Sequence, residues 1–376
     1  MQLMIIPRMA TASPFNTIMV ISGLFLIFYN EYYEFTTVRR NQWTTSEATL
    51  PPSTLTDGRD SVRILFVGDP QIQGFQDEPA LLGYVTRWDA DRYLKKYFSH
   101  AMNFVNPDVV ILMGDLLDEG SKATDSEYES YVRRLKSIFE VPSRVKVIYL
   151  AGDNDIGGEG SDRITSEKIA RFERYFQPVN EAVQYKHVAF YKINALQYIH
   201  RPPNEKIDGP LSNTLVMMGR QTPNAKVRVI LTHTGLSEAM LHRHIKIMRV
   251  LKPGFAFSAH SHYSGYMKHS LQQLVSFFKK VYPRDASLNS VINSAEDSLM
   301  EEYRIPTCSY RMGVSNMAYA AAVIDEEGQL HYTLLWLPSR YRQLYRYLFY
   351  ACFVAISLGL QFMCRPRGRR RYEYAY

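Results

Sequence analysis

Residues 62–71 read VRILFVGDPQ, a strand-like run of branched and aromatic residues closed at once by glycine, aspartate and proline. The same order returns at 108–118 (DVVILMGDLLD), 145–155 (VKVIYLAGDND), 226–234 (KVRVILTHT) and 255–262 (FAFSAHSH). Between these runs, 89–105, 126–140 and 237–251 carry apolar residues at helical spacing. A later group, TCSYR (307–311), MAYAAAVID (317–325) and LHYTLLWL (330–337), has no helix between its members and predicts antiparallel strands. Strands joined by crossover helices, followed by a β-only section, predict an α/β fold: a β-sandwich of mixed sheets flanked by helices, in one domain.

Each of the first five strands ends in residues that ligate metals. Asp69 and Gln71 follow the first, Asp115 and Asp118 the second, Asp153 and Asp155 the third; His233 ends the fourth, and His260 and His262 the fifth. Taken singly, an aspartate after a strand is a turn former or a helix cap. Five in succession at the carboxyl edge of a sheet, where ligands converge, is not a turn statistic. Carboxylates and imidazoles there can share two divalent ions about 3.5–4 Å apart, the arrangement that displaces phosphate esters. His100, His187, His200, His242, His244, His269 and His331 fall mostly within helix or strand patterns and read as structural or exposed.

At these residues the sequence resembles the calcineurin-like metallophosphoesterases, whose pattern runs D-x-H, GD-x-x-D, GNH-[DE], a later H and GH-x-H. The resemblance is greatest to the branch that remodels glycosylphosphatidylinositol (GPI) anchors, through GDLLDEG, AGDNDIG, RFERYF, LTHTGL and EYRIPTCSYR, and it covers about residues 60–340. It implies that Asp69, Gln71 and His262 hold one ion, that Asp153, His233 and His260 hold the other, and that Asp115 bridges them. It also places Asp115, Asn154 and Asp155 in the catalytic centre. Three positions depart from the pattern. Gln71 replaces histidine; Asp153 replaces asparagine and lowers the net charge of the site by one unit; Asn154 replaces the histidine that helps protonate the leaving group. Oxygen donors in place of nitrogen favour harder ions, so the two divalent cofactors are expected to be manganese rather than zinc.

The ends of the chain read as membrane segments. Phe15–Tyr29 is a short apolar run, and bulky polar residues follow it instead of a cleavage site, which predicts an uncleaved anchor. Tyr347–Cys364 is long enough to cross a bilayer, and RPRGRRR follows it, marking the cytosolic side. The expected organisation is a tail and anchor at 1–30, a polar lumenal linker at 31–60, a catalytic domain at 61–340, a second span at 341–364 and a basic cytosolic tail at 365–376. The formal charge of +7 falls to about +2 without the five tail arginines, so no basic stripe for nucleic acid is expected. Three cysteines, Cys308, Cys352 and Cys364, exclude a disulfide framework or a cysteine metal site; the last two are candidate lipidation sites.

By resemblance, the expected activity is removal of ethanolamine phosphate from a mannose of the GPI glycan, the second, in the endoplasmic reticulum or early secretory pathway. The expected partners are the GPI-anchor glycan of anchored proteins and the membrane, with no nucleic acid. Two rivals stand beside this reading: a catalytically weak or silent membrane protein that binds GPI-anchored cargo or cargo receptors, which Asn154 would permit, and a metallophosphoesterase for another phosphoester.

Overall fold

A computed structural model describes residues 14–43, 61–76, 80–199, 205–236, 243–270, 277–283 and 299–363. The chain divides into two units, 38–337 and the paired termini 1–37 with 338–376. Each is described by itself.

In the larger unit, β1 (Val62–Val67), β2 (Val109–Leu112), β3 (Lys146–Tyr149), β11 (Ala318–Ile324) and β12 (Leu330–Trp336) form a five-stranded sheet in the order β12-β11-β1-β2-β3. β1, β2 and β3 run parallel, as the intervening helices α3 (Ala80–Val105) and α4 (Asp125–Ile138) require, and β11 runs antiparallel to β1 with Phe66 opposite Ala320. The second sheet has seven strands, β4 (Glu181–Tyr185), β5 (Val188–Lys192), β6 (Val227–Leu231), β7 (Phe255–Ser258), β8 (Gly265–Ser270), β9 (Phe277–Lys280) and β10 (Leu299–Arg304), in the order β4-β5-β6-β7-β10-β8-β9.

The sheets face each other across one apolar layer containing Ile64, Phe66, Ile111, Val229, Leu231, Phe257, Tyr303, Ala320 and Tyr332, with the Phe66 and Phe257 rings 4.3 Å apart. Because both faces of these strands are covered, their sequences are continuously apolar rather than alternating. Outside the second sheet, α7 (Glu205–Gln221) and α8 (Arg243–Leu251) pack Leu215, Met218, Ile247 and Leu251 against Tyr191 and Ile230. α4 begins in a full capping box, Thr124 with Glu127, and buries Tyr128, Tyr131, Val132 and Leu135 on one face. Short helices α5 (Asp153–Ile156) and α6 (Ser166–Tyr175) follow β3.

Three expectations are corrected. TCSYR is no strand: Pro306 has no N–H to continue a ladder, so β10 ends and Thr307 makes an isolated bridge to Gly68 before a 3₁₀ turn at Tyr310–Met312. The polar stretch after residue 36 is helical as far as Trp43, whose indole is fully buried, donates Nε1–H to the Trp336 carbonyl at 2.9 Å and packs edge-on against Phe104. Residues 44–60 of the expected linker lie outside the described residues. Helix 89–105 starts earlier, at Ala80, while the helix expected at 237–251 is described from Arg243.

In the smaller unit, α1 (Pro14–Phe28) continues through π-helical turns and α2 (Glu34–Val38), and faces α9 (Arg340–Met363). Ser22 Oγ lies 2.9 Å from the Tyr350 hydroxyl. A polar cluster holds their other ends: Arg340 to Glu31 at 2.8 Å, Arg346 to Glu34 at 2.8 Å, and Gln343 to the Asn30 carbonyl at 2.9 Å. Among the described residues only α9, at 24 residues, is long and apolar enough to cross a bilayer. α1 has 15 residues and spans roughly 22 Å, short of a hydrocarbon core of about 30 Å. Cys364 and the basic tail lie outside the described residues.

Candidate metal centre

The two sheets deliver seven side chains from five strand ends to one pocket. Asp69 and Gln71 follow β1, Asp115 follows β2, Asp153 opens α5 after β3, His233 follows β6, and His260 and His262 follow β7. Asp69, Gln71, Asp115, His260 and His262 all have positive φ, between 37° and 61°. These are costly conformations for residues with a Cβ, of order 1–3 kcal/mol each, and they cluster where side chains are turned toward a shared point. The glycine before each aspartate answers to space. A Cβ on Gly152 would lie 2.1 Å from Asp115 Oδ1, and one on Gly114, at φ +93°, would lie 2.5 Å from His233 Nδ1.

Ligand atoms fall into two groups that share one residue. Asp115, Asp153, His233 and His260 present atoms within 4.8 Å of one another, and so do Asp69, Asp115 and His262. His233 Nδ1–H donates to the Met113 carbonyl at 2.8 Å, which leaves Nε2 facing Asp153 Oδ1 at 3.1 Å and Asp115 Oδ1 at 3.4 Å. His260 Nδ1 lies 3.0 Å from Asp153 Oδ1. Gln71 places its amide 2.8 Å from Asp115 Oδ2 and 3.4 Å from His262 Nε2; turning the amide over presents Oε1, the ligating atom, at the same point.

Burial and mutual charge set the ionisation of these groups. Burial pushes the Asp69 carboxyl up to about 7 despite His233, and burial also raises Asp115. Burial opposes protonation of His233, yet Asp115, Asp153 and Asp69 outweigh it and hold the imidazole well above its usual range. The hydrogen bond to Asp153 raises His260. Asp153 is itself buried, but bonds from His233 and His260 bring it below the usual carboxylate range. His262 is lowered by burial and by repulsion from the other two imidazoles. The buried carboxylates thus draw His233 and His260 toward their charged forms. Asp69 Oδ2 is buried without a hydrogen-bond partner, beside the Asp115 and His262 atoms of its own group. This donor set fits two divalent cations bridged by Asp115.

The other two catalytic candidates have different placements. Asn154 stands at the pocket, its backbone N–H and Nδ2 donating to Asp115 Oδ1 and Oδ2, each at 3.0 Å. Asp155 does not face the pocket's ligand atoms. Its fully buried carboxylate accepts the N–H groups of Leu116, Leu117 and Gly152 at 2.9–3.1 Å, so it ties the GDLLD turn to the GDND turn. Burial and Asp115 push it up to about 7 against those three donors. Its contacts are those of a group that holds these turns in place, whereas the sequence placed it in the catalytic centre. Asp118 pairs with Arg311 at 3.0 Å, and Arg311 also reaches the Gln71 carbonyl at 3.4 Å. Of the other histidines, His269 is buried against Glu302, His187 and His331 contact Asp325, and His200 and His242 lie outside the described residues.

Two facing mixed sheets with carboxylates and imidazoles converging at their strand ends define an α/β metal-binding domain built to hold divalent ions. Residues 62–264 match the Calcineurin-like phosphoesterase family, and the chain belongs to it. It is similar to Metallophosphoesterase 1 of Danio rerio, 31% identical over 142 residues that make up 37% of this chain and 35% of the relative. It is also similar to Cell division control protein 1 of Saccharomyces cerevisiae, 23% identical over 307 residues, 76% of this chain and 60% of that one. The chain thus spans between about a third and three-fifths of the length of these two relatives. A purple acid phosphatase structure from yellow lupin aligns over 73% of this chain with a TM-score of 0.43 at 11% identity.

Proposed function

We propose that this protein is a membrane-anchored, two-ion phosphodiesterase of the early secretory pathway that removes ethanolamine phosphate from a mannose, the second, of GPI-anchor glycans. The observation that carries the catalytic part is the shared carboxylate: Asp115 belongs to both ligand groups. The substrate rests on the motif resemblance, supported by similarity to proteins named Metallophosphoesterase 1.

In this reading Asp69, Gln71 and His262 hold one ion, Asp153, His233 and His260 the other, and both are manganese. Bound together, two such ions neutralise charge on the phosphate oxygens and lower the pKa of water. Asp115 sets the spacing between the two groups. Asn154 offers its amide N–H to a substrate oxygen but has no proton to release, so the leaving alcohol takes its proton from solvent or from a neighbouring group. In this reading α9 crosses the membrane and α1, too short to span it alone, anchors beside it, with the larger unit lumenal and the basic tail cytosolic; sharing a membrane with a lipid-anchored substrate raises its effective concentration.

The test combines purified full-length protein with cells lacking it. Two equivalents of Mn²⁺, phosphodiesterase turnover abolished by Asp115→Ala, and GPI glycans that retain the phosphate branch are expected. Full metal content with no turnover on any phosphodiester would favour the binding role that Asn154 permits, toward anchored cargo or cargo receptors. Turnover with unchanged glycans would move the activity to another phosphoester.

A further inference from the structure

The segment 302–311, EYRIPTCSYR, contributes no metal ligand, yet it touches the backbone of both ligand groups at separate points. Glu302, on β10 between β7 and β8, is completely buried. Its Oε1 accepts the Leu236 N–H at 3.2 Å and the Ser258 hydroxyl at 2.5 Å, while Oε2 accepts from His269 Nε2 at 2.6 Å. Leu236 lies three residues after His233, and Ser258 two residues before His260, so one carboxylate anchors the turns bearing both imidazoles of one group. The two turns are also bonded to each other, Ala259 N–H to the His233 carbonyl at 2.8 Å.

Five residues on, the contacts change sides. Thr307 Oγ1 donates to the Asp69 carbonyl at 2.8 Å, and the Thr307 N–H reaches the His262 carbonyl at 3.4 Å. Cys308 N–H donates to the Gly68 carbonyl at 2.9 Å, and Arg311 approaches the Gln71 carbonyl. These are the turns that bear the other group. A buried carboxylate with three donors is costly to disturb, and a hydroxyl bonded to a strained turn holds that turn's φ.

We infer that this segment positions the two ions independently, with Glu302 acting through Ser258 and Leu236 on the ion held by Asp153, His233 and His260, and Thr307 acting on the ion held by Asp69, Gln71 and His262. Both are positioning residues, and the inference rests on the two-ion reading above. General stability would weaken both ions together. Selective support weakens one and spares the other.

The experiment is titration of metal-free full-length protein in detergent micelles with Mn²⁺, read by calorimetry and by Mn²⁺ electron paramagnetic resonance. Wild type should bind two ions with a spin-coupled spectrum. Glu302→Gln and Thr307→Val should each bind one ion within about twofold of wild-type affinity and the other about 10- to 100-fold more weakly, the usual effect of losing a ligand's support. At one equivalent both variants should give an isolated-ion spectrum. The double variant should weaken both ions. If Glu302→Gln does not fold, Thr307→Val alone decides. Equal weakening of both ions, or no change in either, in a folded variant would overturn the inference. Fewer than two ions in wild type would overturn the two-ion reading first, and this one with it.

Discussion

Replacing Asp155 by asparagine separates a positional role from a catalytic one. The carboxylate receives three buried backbone amides, Leu116 on both oxygens, Leu117 on Oδ1 and Gly152 on Oδ2. Asparagine keeps an oxygen for Leu116 and Leu117 but turns an NH₂ toward Gly152, so one buried donor loses its acceptor at a cost of about 1–3 kcal/mol. The two retained bonds go from charged to neutral acceptors, each weaker by about 1 kcal/mol. Against this, the variant no longer buries an ionised group beside Asp115, whose presence helps push Asp155 up to about 7. The net expectation is about 2–4 kcal/mol of destabilisation, or a drop of roughly 5–10 °C in melting temperature. Thermal unfolding of the metal-free protein measures this directly. Because Asp155 touches turns rather than ligand atoms, folded variant supplied with excess Mn²⁺ should regain much of its turnover, unlike Asp115→Ala. Unchanged stability with turnover abolished at saturating metal would refute the positional assignment.

Gly152→Ala should remove metal binding while the sheets remain folded, because the new methyl would lie 2.1 Å from Asp115 Oδ1 and 2.2 Å from the Asp115 backbone nitrogen, and the nitrogen cannot rotate away as the carboxylate can; titration with Mn²⁺ alongside circular dichroism checks this. Metal uptake should release protons near neutral pH, since His233 and His260 titrate above their usual range without an ion and must be neutral to ligate. Apparent Mn²⁺ affinity should therefore rise with pH above about 6.5, and calorimetry in buffers of different ionisation enthalpy counts the protons. The Glu302 carboxyl is shifted the other way: burial opposes its ionisation, but His269 and Ser258 outweigh this and hold it below its usual value of 4.5. Its stabilising contribution is thus present above that value and lost as pH falls further, so wild type and Glu302→Gln should converge in stability under acid denaturation. Trp43→Ala should cost about 3–5 kcal/mol in chemical denaturation, because the ring is fully enclosed against Phe104.

The parts of the fold legible in the sequence were those whose signal is local. β1, β2, β3, β6 and β7 are short apolar runs ending in Gly-Asp, Thr-His or Ala-His, and both apolar content and ligand type can be read residue by residue. β4 and β5 leave little local signal because EAVQY mixes polar residues into a sheet edge, and the hairpin turns on Lys186 at φ +50° without a glycine. β10, LMEEYR, reads as surface. Its glutamates are buried only because Ser258 and His269 meet Glu302, while Tyr266 and Tyr303 meet Glu301, and partners so distant in sequence leave no periodic trace. The sequence places Asp155 in a ligand-rich motif but does not carry the direction of its carboxylate. That direction follows from the sharp turn between Gly152 and Gly157, which presents backbone amides to it. The π-helical turn that carries Trp43 into the larger unit looks polar because RRNQW has one apolar residue in five.

The balance between a catalytic and a silent site turns on charge more than on Asn154. Asp69, Asp115 and Asp153 are buried within one pocket, and among the described residues the cationic side chains paired with them are histidines alone. Arg311, the guanidinium that reaches the rim, is committed to Asp118. A site that only displayed a surface to cargo would gain nothing from three desolvated carboxylates, five left-handed turns and an orphaned Asp69 Oδ2, each of which costs stability. Two divalent ions offset all three, since they supply four positive charges at the point where these atoms converge. On the reading proposed above, the added carboxylate of Asp153 would hold its ion more tightly while drawing anionic substrate less strongly. On that same reading, Asn154 would also lower the rate, since its amide can orient a phosphate oxygen but has no proton to deliver. Asp153 would thus trade rate for retention of metal and Asn154 would slow protonation of the leaving group, while neither change removes a ligand of the two groups.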